Sequence, residues 1–225
     1  MATSAALLKL AYRNRNFLIP VFFLYGFVLA ACTGSREAFD DRVATRKPTV
    51  QFGCDTRHAA VQLSGPLSSK PVLVRNLPDP NPLVVGKLFG SGLDDLPVHV
   101  EGRSPSTTLA MDVKAILENA GFNCAEDSET NRVLEVAVSK IRAVQIPAKW
   151  YEVKGRVIGR VEIIARLKKD SDVVWTKKIS KESNLRVVYF LTSQMEVELN
   201  KAYCQSLHEL ENDLRSEEFL SIIER

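Results

Sequence analysis

Two long alternating segments in the second half of the chain constrain its fold most strongly. At residues 156–168 every second residue is apolar or small, and residues 173–179 repeat this period of two. The four residues between them, Lys-Asp-Ser-Asp, are types that favour tight turns. The pattern predicts a β-hairpin with one face towards a core and the other towards solvent.

Helices and shorter strands complete the predicted domain. Ser104 and Pro105 suit the start of a helix with apolar residues every three or four positions, and Gly121 suits its end. A capping box at residues 193–196 predicts a second long helix, and Ser216 a short third one. Further strands are predicted at residues 49–52, 71–74, 83–85, 98–100 and 134–138. We expect an α+β fold, in which a largely antiparallel sheet has two main helices packed on one face.

The N-terminal 31 residues have the three parts of a secretory signal peptide. The first 16 residues carry three basic side chains and no acidic one, and an apolar run of 15 residues follows at 17–31 and ends in small residues. This run is short for a membrane-spanning helix, which needs about 20 apolar residues. It also contains Pro20, which weakens a continuous helix. We therefore expect residues 1–31 to be a cleaved signal peptide.

The apolar run ends in Leu29-Ala30-Ala31-Cys32, which resembles the lipobox of bacterial lipoproteins. In that class the cysteine thiol receives a diacylglyceryl group, cleavage makes the cysteine the first residue, and its amine is then acylated. We predict cleavage between Ala31 and Cys32 and attachment of fatty acids such as palmitate at Cys32. Two or more acyl chains make such an anchor stable. The alternatives are a signal-anchor helix with an incidental cysteine, or cleavage elsewhere.

The residues after the cysteine bear on where the protein lies. Thr33 stands where an Asp retains enterobacterial lipoproteins in the inner membrane. We therefore expect the outer membrane, with the protein body on its periplasmic side, and keep the inner membrane as the alternative. Residues 32–48 are polar and lack apolar periodicity, which predicts a tether. Residues 49–225 are expected to form a single periplasmic domain.

The distribution of charge argues against nucleic acid and for a local basic surface. The net charge of +3 lies wholly in the first 31 residues, so the body is neutral, whereas nucleic-acid binders need a basic face. Residues 149–186 nevertheless carry eleven basic and five acidic side chains. Arg160, Arg166 and Lys168 share one face of a predicted strand, which makes them candidate contacts for an anionic partner. The alternative is a solvated face whose lysines protect a sheet edge.

The turn Gly53-Cys54-Asp55-Thr56-Arg57 follows a predicted strand, and the helix, strand, hairpin and C-terminal helices come after it in that order. With the lipobox at Cys32, this arrangement resembles the YajG-type bacterial envelope lipoproteins over most of residues 49–225. The resemblance implies a lipid-anchored periplasmic domain and no reaction. The chain departs from the family pattern in its longer segment at 59–103 and in its three further cysteines.

Arg57 and three cysteines are the remaining candidates in the body. Arg57 is a candidate anion or partner contact, and the alternative is a local turn held by Asp55 beside a surface arginine. After lipidation of Cys32 the body keeps Cys54, Cys124 and Cys204. An oxidising periplasm allows one disulfide among the three. Buried free thiols are the slightly favoured alternative.

Motifs for catalysis and for metal or phosphate binding are missing from the sequence. The glycines at 86–92 fit neither a P-loop nor a dinucleotide fingerprint and are interpreted as loop glycines. Cys204 and His208 stand four residues apart, but two candidate ligands alone are weak evidence for zinc. No nucleophile motif occurs. We expect no metal, no cofactor, no catalytic residue and no enzymatic activity.

The sequence therefore favours a non-catalytic envelope lipoprotein that binds or scaffolds a periplasmic protein or cell-wall partner. A carrier of a lipid or small apolar ligand is the alternative, and it needs an enclosed apolar pocket of roughly 300 Å³ or more. A cell-wall hydrolase is less favoured, because the chain lacks a recognisable nucleophile or acid–base pair.

Overall fold

A computed structural model of the chain describes residues 48–54, 68–79, 84–90, 93–126, 130–148 and 154–225. Within these residues there are eight strands and three helices. The strands are β1 (Thr49–Gln51), β2 (Ser68–Asn76), β3 (Val84–Gly90), β4 (Leu93–Glu101), β5 (Phe122–Cys124), β6 (Arg132–Ile146), β7 (Gly155–Lys169) and β8 (Asp172–Val187). The helices are α1 (Pro105–Asn119), α2 (Thr192–Leu214) and α3 (Glu217–Glu224).

Strand β6 lies at the centre of the sheet. One of its edges pairs with β7 in antiparallel fashion along almost its whole length, and β8 pairs antiparallel with β7. The other edge of β6 pairs in parallel with β2 near its start and with β3 near its end. Beyond these, β5 is parallel to β2, β4 is antiparallel to β3, and β1 is parallel to β4.

The prediction of a largely antiparallel sheet with two main helices is wrong. Four of the seven strand pairs in the described part of the chain are parallel, so the sheet is mixed. The short third helix follows its cap at Ser216 as predicted. Antiparallel neighbours joined by a short turn leave a local pattern in the sequence, as the β7–β8 hairpin does. Parallel neighbours need a long connection, so their pairing leaves no such pattern.

The sequence located both ends of α1, since the helix runs to Asn119 and Gly121 follows its C-cap with a φ of 83°, but it misplaced the start of α2. Ser104 caps α1 as predicted, because its hydroxyl accepts a hydrogen bond of 3.2 Å from the Thr107 amide. Helix α2 begins at Thr192, ahead of the predicted capping box. Its first turn is closed by Gln194, whose side chain accepts a 3.0 Å hydrogen bond from the Leu191 amide. Glu196 accepts from the Gln51 amide of β1 at 3.1 Å instead of capping its own helix.

The inner face of the sheet packs against the helices. On β7 the alternate residues from Val157 to Leu167 are buried. On α2 one face of the helix is buried, from Met195 to Leu214. The two elements approach closely at Gly159, since an added Cβ would stand 2.4 Å from the carbonyl oxygen of Glu198. Among the described residues, none of the helices has the length and apolar character needed to span a membrane.

Residues 49–54, which we call the N-terminal strap, are fastened to α2. Cys54 and Cys204 form a disulfide with their Cα atoms 5.4 Å apart. The Asn200 side chain accepts a hydrogen bond from the Gly53 amide at 3.1 Å and donates one to the Gln51 carbonyl at 3.3 Å. The favoured expectation of free thiols is therefore wrong for Cys54 and Cys204.

Cys124 is the free cysteine of the described residues. Burial raises the pKa of its thiol to about 11, and the nearby Glu118 carboxylate acts in the same direction. The thiol therefore stays protonated at neutral pH and is a poor nucleophile.

Candidate functional site

The face of β6, β7 and β8 that points away from the helices forms an exposed basic surface. We call this surface, together with Arg75 of β2, the outer face. Register across the strands places nine basic side chains on it. They are Arg75, Lys140, Arg142, Arg156, Arg160, Arg166, Lys168, Lys178 and Arg186. Three carboxylates lie among them, those of Glu135, Glu162 and Glu182.

The three predicted contact residues all lie on the outer face, but their surroundings differ. Arg160 donates a hydrogen bond of 3.0 Å from its Nε to Glu182, the residue opposite it on β8. Lys168 donates one of 2.8 Å to Glu135. Arg166 is exposed, and within the described ranges no residue accepts a hydrogen bond from it. The charge of Arg166 is therefore the most available of the three.

Two pairs of arginines face each other directly across neighbouring strands. Arg142 of β6 stands opposite Arg160 of β7, and Arg156 of β7 stands opposite Arg186 of β8. Like charges at such positions destabilise a sheet. Glu182 offsets part of the first pair through its contact with Arg160. The second pair has no such carboxylate among the residues that the structure describes, so its two positive charges are not offset there.

The middle of the outer face is locally neutralised. The Ser139 hydroxyl donates a hydrogen bond of 2.6 Å to Glu162, and this bond lowers the pKa of the Glu162 carboxyl. The Lys178 ammonium, 3.1 Å from the same carboxylate, acts in the same direction. Glu162 is therefore ionised and paired, which leaves the excess of positive charge at the two ends of the face.

Part of the basic charge counted in the sequence lies on the opposite side of the sheet. Lys177 of β8 donates a hydrogen bond of 2.9 Å to Asp213 of α2, and Lys181 pairs with Glu209 of the same helix. The bond to Asp213 raises the pKa of the Lys177 ammonium. These two lysines join the acidic helix to the sheet and are not part of the outer face.

Glu135 is a buried carboxylate within a cluster of cations. The residue is 7% exposed and stands between Arg75 on β2 and Arg166 on β7 in register, while Lys168 bonds to it. A cavity of about 260 Å³ opens beside it, lined in part by Arg75, Lys168 and Ser171. Asp170 also lines the cavity, so three cations stand against two carboxylates and this end of the face keeps a small net positive charge.

A second cavity, of about 320 Å³, lies between β3 and β6. The two strands share only the pair formed by Gly86 and Ala143, where an added Cβ on Gly86 would stand 2.4 Å from the Ala143 carbonyl oxygen. The lining is mostly apolar, with Val84, Val85 and Ile141 among its residues. Gly86 belongs to strand β3, so its interpretation as a loop glycine is wrong.

Several predicted sites fall elsewhere. Ala31, Cys32 and Arg57 lie outside the described residues, so their predicted roles stay predictions. Cys204 is in the disulfide and His208 is exposed beside Glu211. In the described ranges there is no cluster of three or more His, Cys, Asp or Glu side chains suited to a metal ion.

Four arginines of the outer face were not singled out by the sequence, although their signal was present. Arg142 shares the face of Arg160 only through the register of two strands, and Arg75 joins Arg166 only through the parallel pairing of β2 with β6. Arg156 has the parity of Arg160 along β7, and Arg186 stands opposite it on β8. Alternation along one strand predicts the direction in which each side chain points. Which side chains are neighbours on the surface depends on how the strands pair.

Comparison with known proteins gives structural similarity alone. Neither a protein-family model nor a curated protein sequence matches the chain. A DUF330 protein from Xanthomonas campestris is similar with a TM-score of 0.46 and 15% identity, over 73% of this chain and 90% of that one. A neuraminyllactose-binding hemagglutinin homolog from Helicobacter pylori has a TM-score of 0.49 and 11% identity, over 71% and 89%.

A bacterial lipoprotein is among the similar structures. The minor lipoprotein from Acinetobacter baumannii has a TM-score of 0.37 and 9% identity, over 64% of this chain and 94% of that one. At such values we draw no functional conclusion from these similarities. The function is therefore argued from the residues of this chain.

Proposed function

We propose that this chain is a lipid-anchored envelope lipoprotein, similar to the YajG type, whose domain binds a partner in the periplasm without catalysing a reaction. The observation that carries this proposal is the sequence Leu29-Ala30-Ala31-Cys32 at the end of a short apolar run with a basic start. The lipid on Cys32 holds the chain at the periplasmic face of the outer membrane.

The binding role is supported by what the domain offers to a partner. Its outer face carries nine cations and three carboxylates on long strands. Arg166 and the opposed Arg156 and Arg186 are placed to contact an anion. Other chemically versatile side chains have structural partners, such as Cys204 in the disulfide and Tyr203 bonded to Asp112.

Metabolic labelling with a fatty acid tests the anchor. We expect the full chain to incorporate the label and to fractionate with outer membranes. Cys32→Ser should abolish incorporation, because only the thiol forms the thioether. Cys124→Ser is the matched control, since it removes a thiol of the body and should leave labelling unchanged. Label retained by Cys32→Ser would show that the lipobox interpretation is wrong.

A carrier of a small apolar ligand is the second candidate. It is favoured by the volume of the cleft between β3 and β6, about 320 Å³, at the lower end of the range of ligand sites. The cleft is open to solvent and not enclosed, and Lys87 and Arg142 line it beside the apolar residues. If a ligand binds there, Val84→Trp at the exposed start of β3 should weaken the binding of a fluorescent fatty acid to the chain. Val197→Trp, on the exposed side of α2, should not. Equal binding of the fluorescent fatty acid by the unmodified chain and by both variants would exclude this cavity as the carrier site.

A further inference from the structure

We propose that the outer face docks flat on the anionic phospholipid surface of the membrane that holds the chain, an inference that rests on the proposed lipid anchor. The occupant is the phosphate layer of lipid headgroups. Three features of the chain carry this proposal: the arginines of the face that have no hydrogen-bond acceptor among the described residues, the apolar side chains between them, and the length of the tether.

The arginines provide the recognition. In the described part of the chain, no residue accepts a hydrogen bond from Arg142, Arg156, Arg166 or Arg186, and each of the four is exposed. Guanidinium groups bind phosphate oxygens with two parallel hydrogen bonds, and they lose little on leaving water because they are weakly hydrated. Arg156 and Arg186 stand in opposed positions, so one phosphate between them relieves their repulsion.

Apolar side chains on the same face favour a bilayer over other anionic surfaces. Ile146 is 43% exposed and stands opposite Arg156 in register. Ile158 and Ile164 lie between the charged positions of β7 and are partly exposed. A membrane interface accepts both types at once, since apolar side chains enter the boundary of the acyl region while arginines reach the headgroups. A hydrated cell-wall polymer offers no apolar layer for the isoleucines.

The tether makes a weak contact sufficient. Fifteen residues separate Cys32 from Pro48, the first described residue, and fully extended they reach about 50 Å. The domain therefore never leaves the neighbourhood of the bilayer. Its effective concentration at the surface is on the order of millimolar, so a modest, salt-sensitive attraction is enough to hold the face down. Strands of 15 residues, such as β6 and β7, give a contact of similar length, about 50 Å.

The test uses the full acylated chain in vesicles and reads the distance of the domain from the bilayer. A donor fluorophore is placed at Ser180→Cys on the exposed side of β8, or at His208→Cys on the opposite side of the domain, both with Cys124→Ser. Energy transfer to a headgroup-labelled lipid is compared in phosphatidylcholine and in phosphatidylcholine with phosphatidylglycerol. We expect transfer from position 180 to rise in the anionic vesicles and to fall again in high salt. Transfer from position 208 should show no such rise.

Charge reversal identifies the surface responsible. Arg142→Glu with Arg156→Glu should abolish the rise at position 180, and the milder Arg142→Gln with Arg156→Gln should reduce it. Arg103→Glu with Lys114→Glu changes the net charge equally near α1 and should leave the rise intact. Thermal unfolding curves of each variant confirm that the domain is folded.

The outcomes separate docking from anchoring. If the chain is acylated and vesicle-bound but position 180 gives equal transfer in both vesicles, docking is wrong and the anchor stands. If the chain is neither acylated nor vesicle-bound, both proposals fail. If the reversed arginines weaken binding to peptidoglycan sacculi while transfer to anionic vesicles is unchanged, the face binds the cell wall and the membrane proposal is overturned.

Discussion

The hydroxyl of Tyr203 on α2 donates a hydrogen bond of 2.6 Å to the carboxylate of Asp112 on α1. Tyr203 is fully buried, and its ring lies 4.5 Å from that of Phe52 in the N-terminal strap. Burial raises the pKa of the Tyr203 hydroxyl well above its usual range, and the negative charge of Asp112 acts in the same direction. One side chain thus joins the two long helices and the strap, and it does so in its protonated form.

This relationship predicts a loss of stability in alkali. An unfolded tyrosine titrates near pH 10, whereas folded Tyr203 titrates higher, so its contribution is complete below about pH 10 and is lost as the pH rises further. Tyr203→Phe should cost about 1.5–3 kcal/mol at neutral pH and remove this part of the alkaline loss. Tyr189→Phe, at an exposed position, should change neither. Denaturant unfolding at several pH values measures both effects, and an unchanged alkaline slope in Tyr203→Phe would contradict the assignment.

The centre of α2 should be the most sensitive part of the core. Leu207 is fully buried between the helix and the sheet, so Leu207→Ala should destabilise the domain by about 2–5 kcal/mol through loss of packing. Val197→Ala on the exposed side of the same helix should stay within about 0.5 kcal/mol. Chemical denaturation compares the two. Equal stabilities would mean that α2 does not pack as described.

Gly159 should be intolerant of any side chain. An added Cβ meets the backbone of Glu198 at 2.4 Å, and backbone on a packed helix cannot move aside as a flexible side chain does. Gly159→Ala should therefore cost about 1–3 kcal/mol. Gly53→Ala is the matched control, because no atom lies within 4 Å of its added Cβ. Thermal unfolding of both variants checks the difference, and a neutral Gly159→Ala would place α2 farther from β7.

The disulfide should be a major source of stability. Cys54 and Cys204 are separated by 150 residues, so the bond restricts a large part of the unfolded chain. Its reduction, or Cys54→Ser, should cost about 2–5 kcal/mol. Cys124→Ser, which removes a cysteine outside the bond, is the control. Its stability should fall on addition of reductant as that of the unmodified chain does. Melting curves with and without reductant test this, and identical curves for the unmodified chain would show that the bond does not form in solution.

Local patterns determined which elements the sequence could reveal. The β7–β8 hairpin and the start of α1 were predictable, because alternation and the Ser104 cap are signals within a few residues. The pairing of Arg75 with Glu135 was not, because it joins parallel strands separated by a helix and three further strands. The outer face depended on that pairing, so the sequence identified three of its cations and the structure supplied the other six.

The alternatives for the thiols show the same limit. The sequence left Cys54, Cys124 and Cys204 as three candidates for at most one bond. Which two cysteines pair is decided by the position of the strap along α2, where Asn200 bonds to both Gln51 and Gly53. Such contacts join residues about 150 positions apart, which no local pattern encodes.

The strap also decides how the domain carries mechanical load. If the proposed lipid anchor and tether are correct, any drag on the body is opposed by tension that enters the domain at Pro48. Strand β1 has only three residues and, held by hydrogen bonds alone, would peel from β4 under modest pulling. The covalent bond from Cys54 to Cys204 stops that peeling after seven residues and transfers the tension into the middle of α2. If residues 32–48 form the proposed tether, its tension therefore enters the domain through the longest helix and not through strand β1.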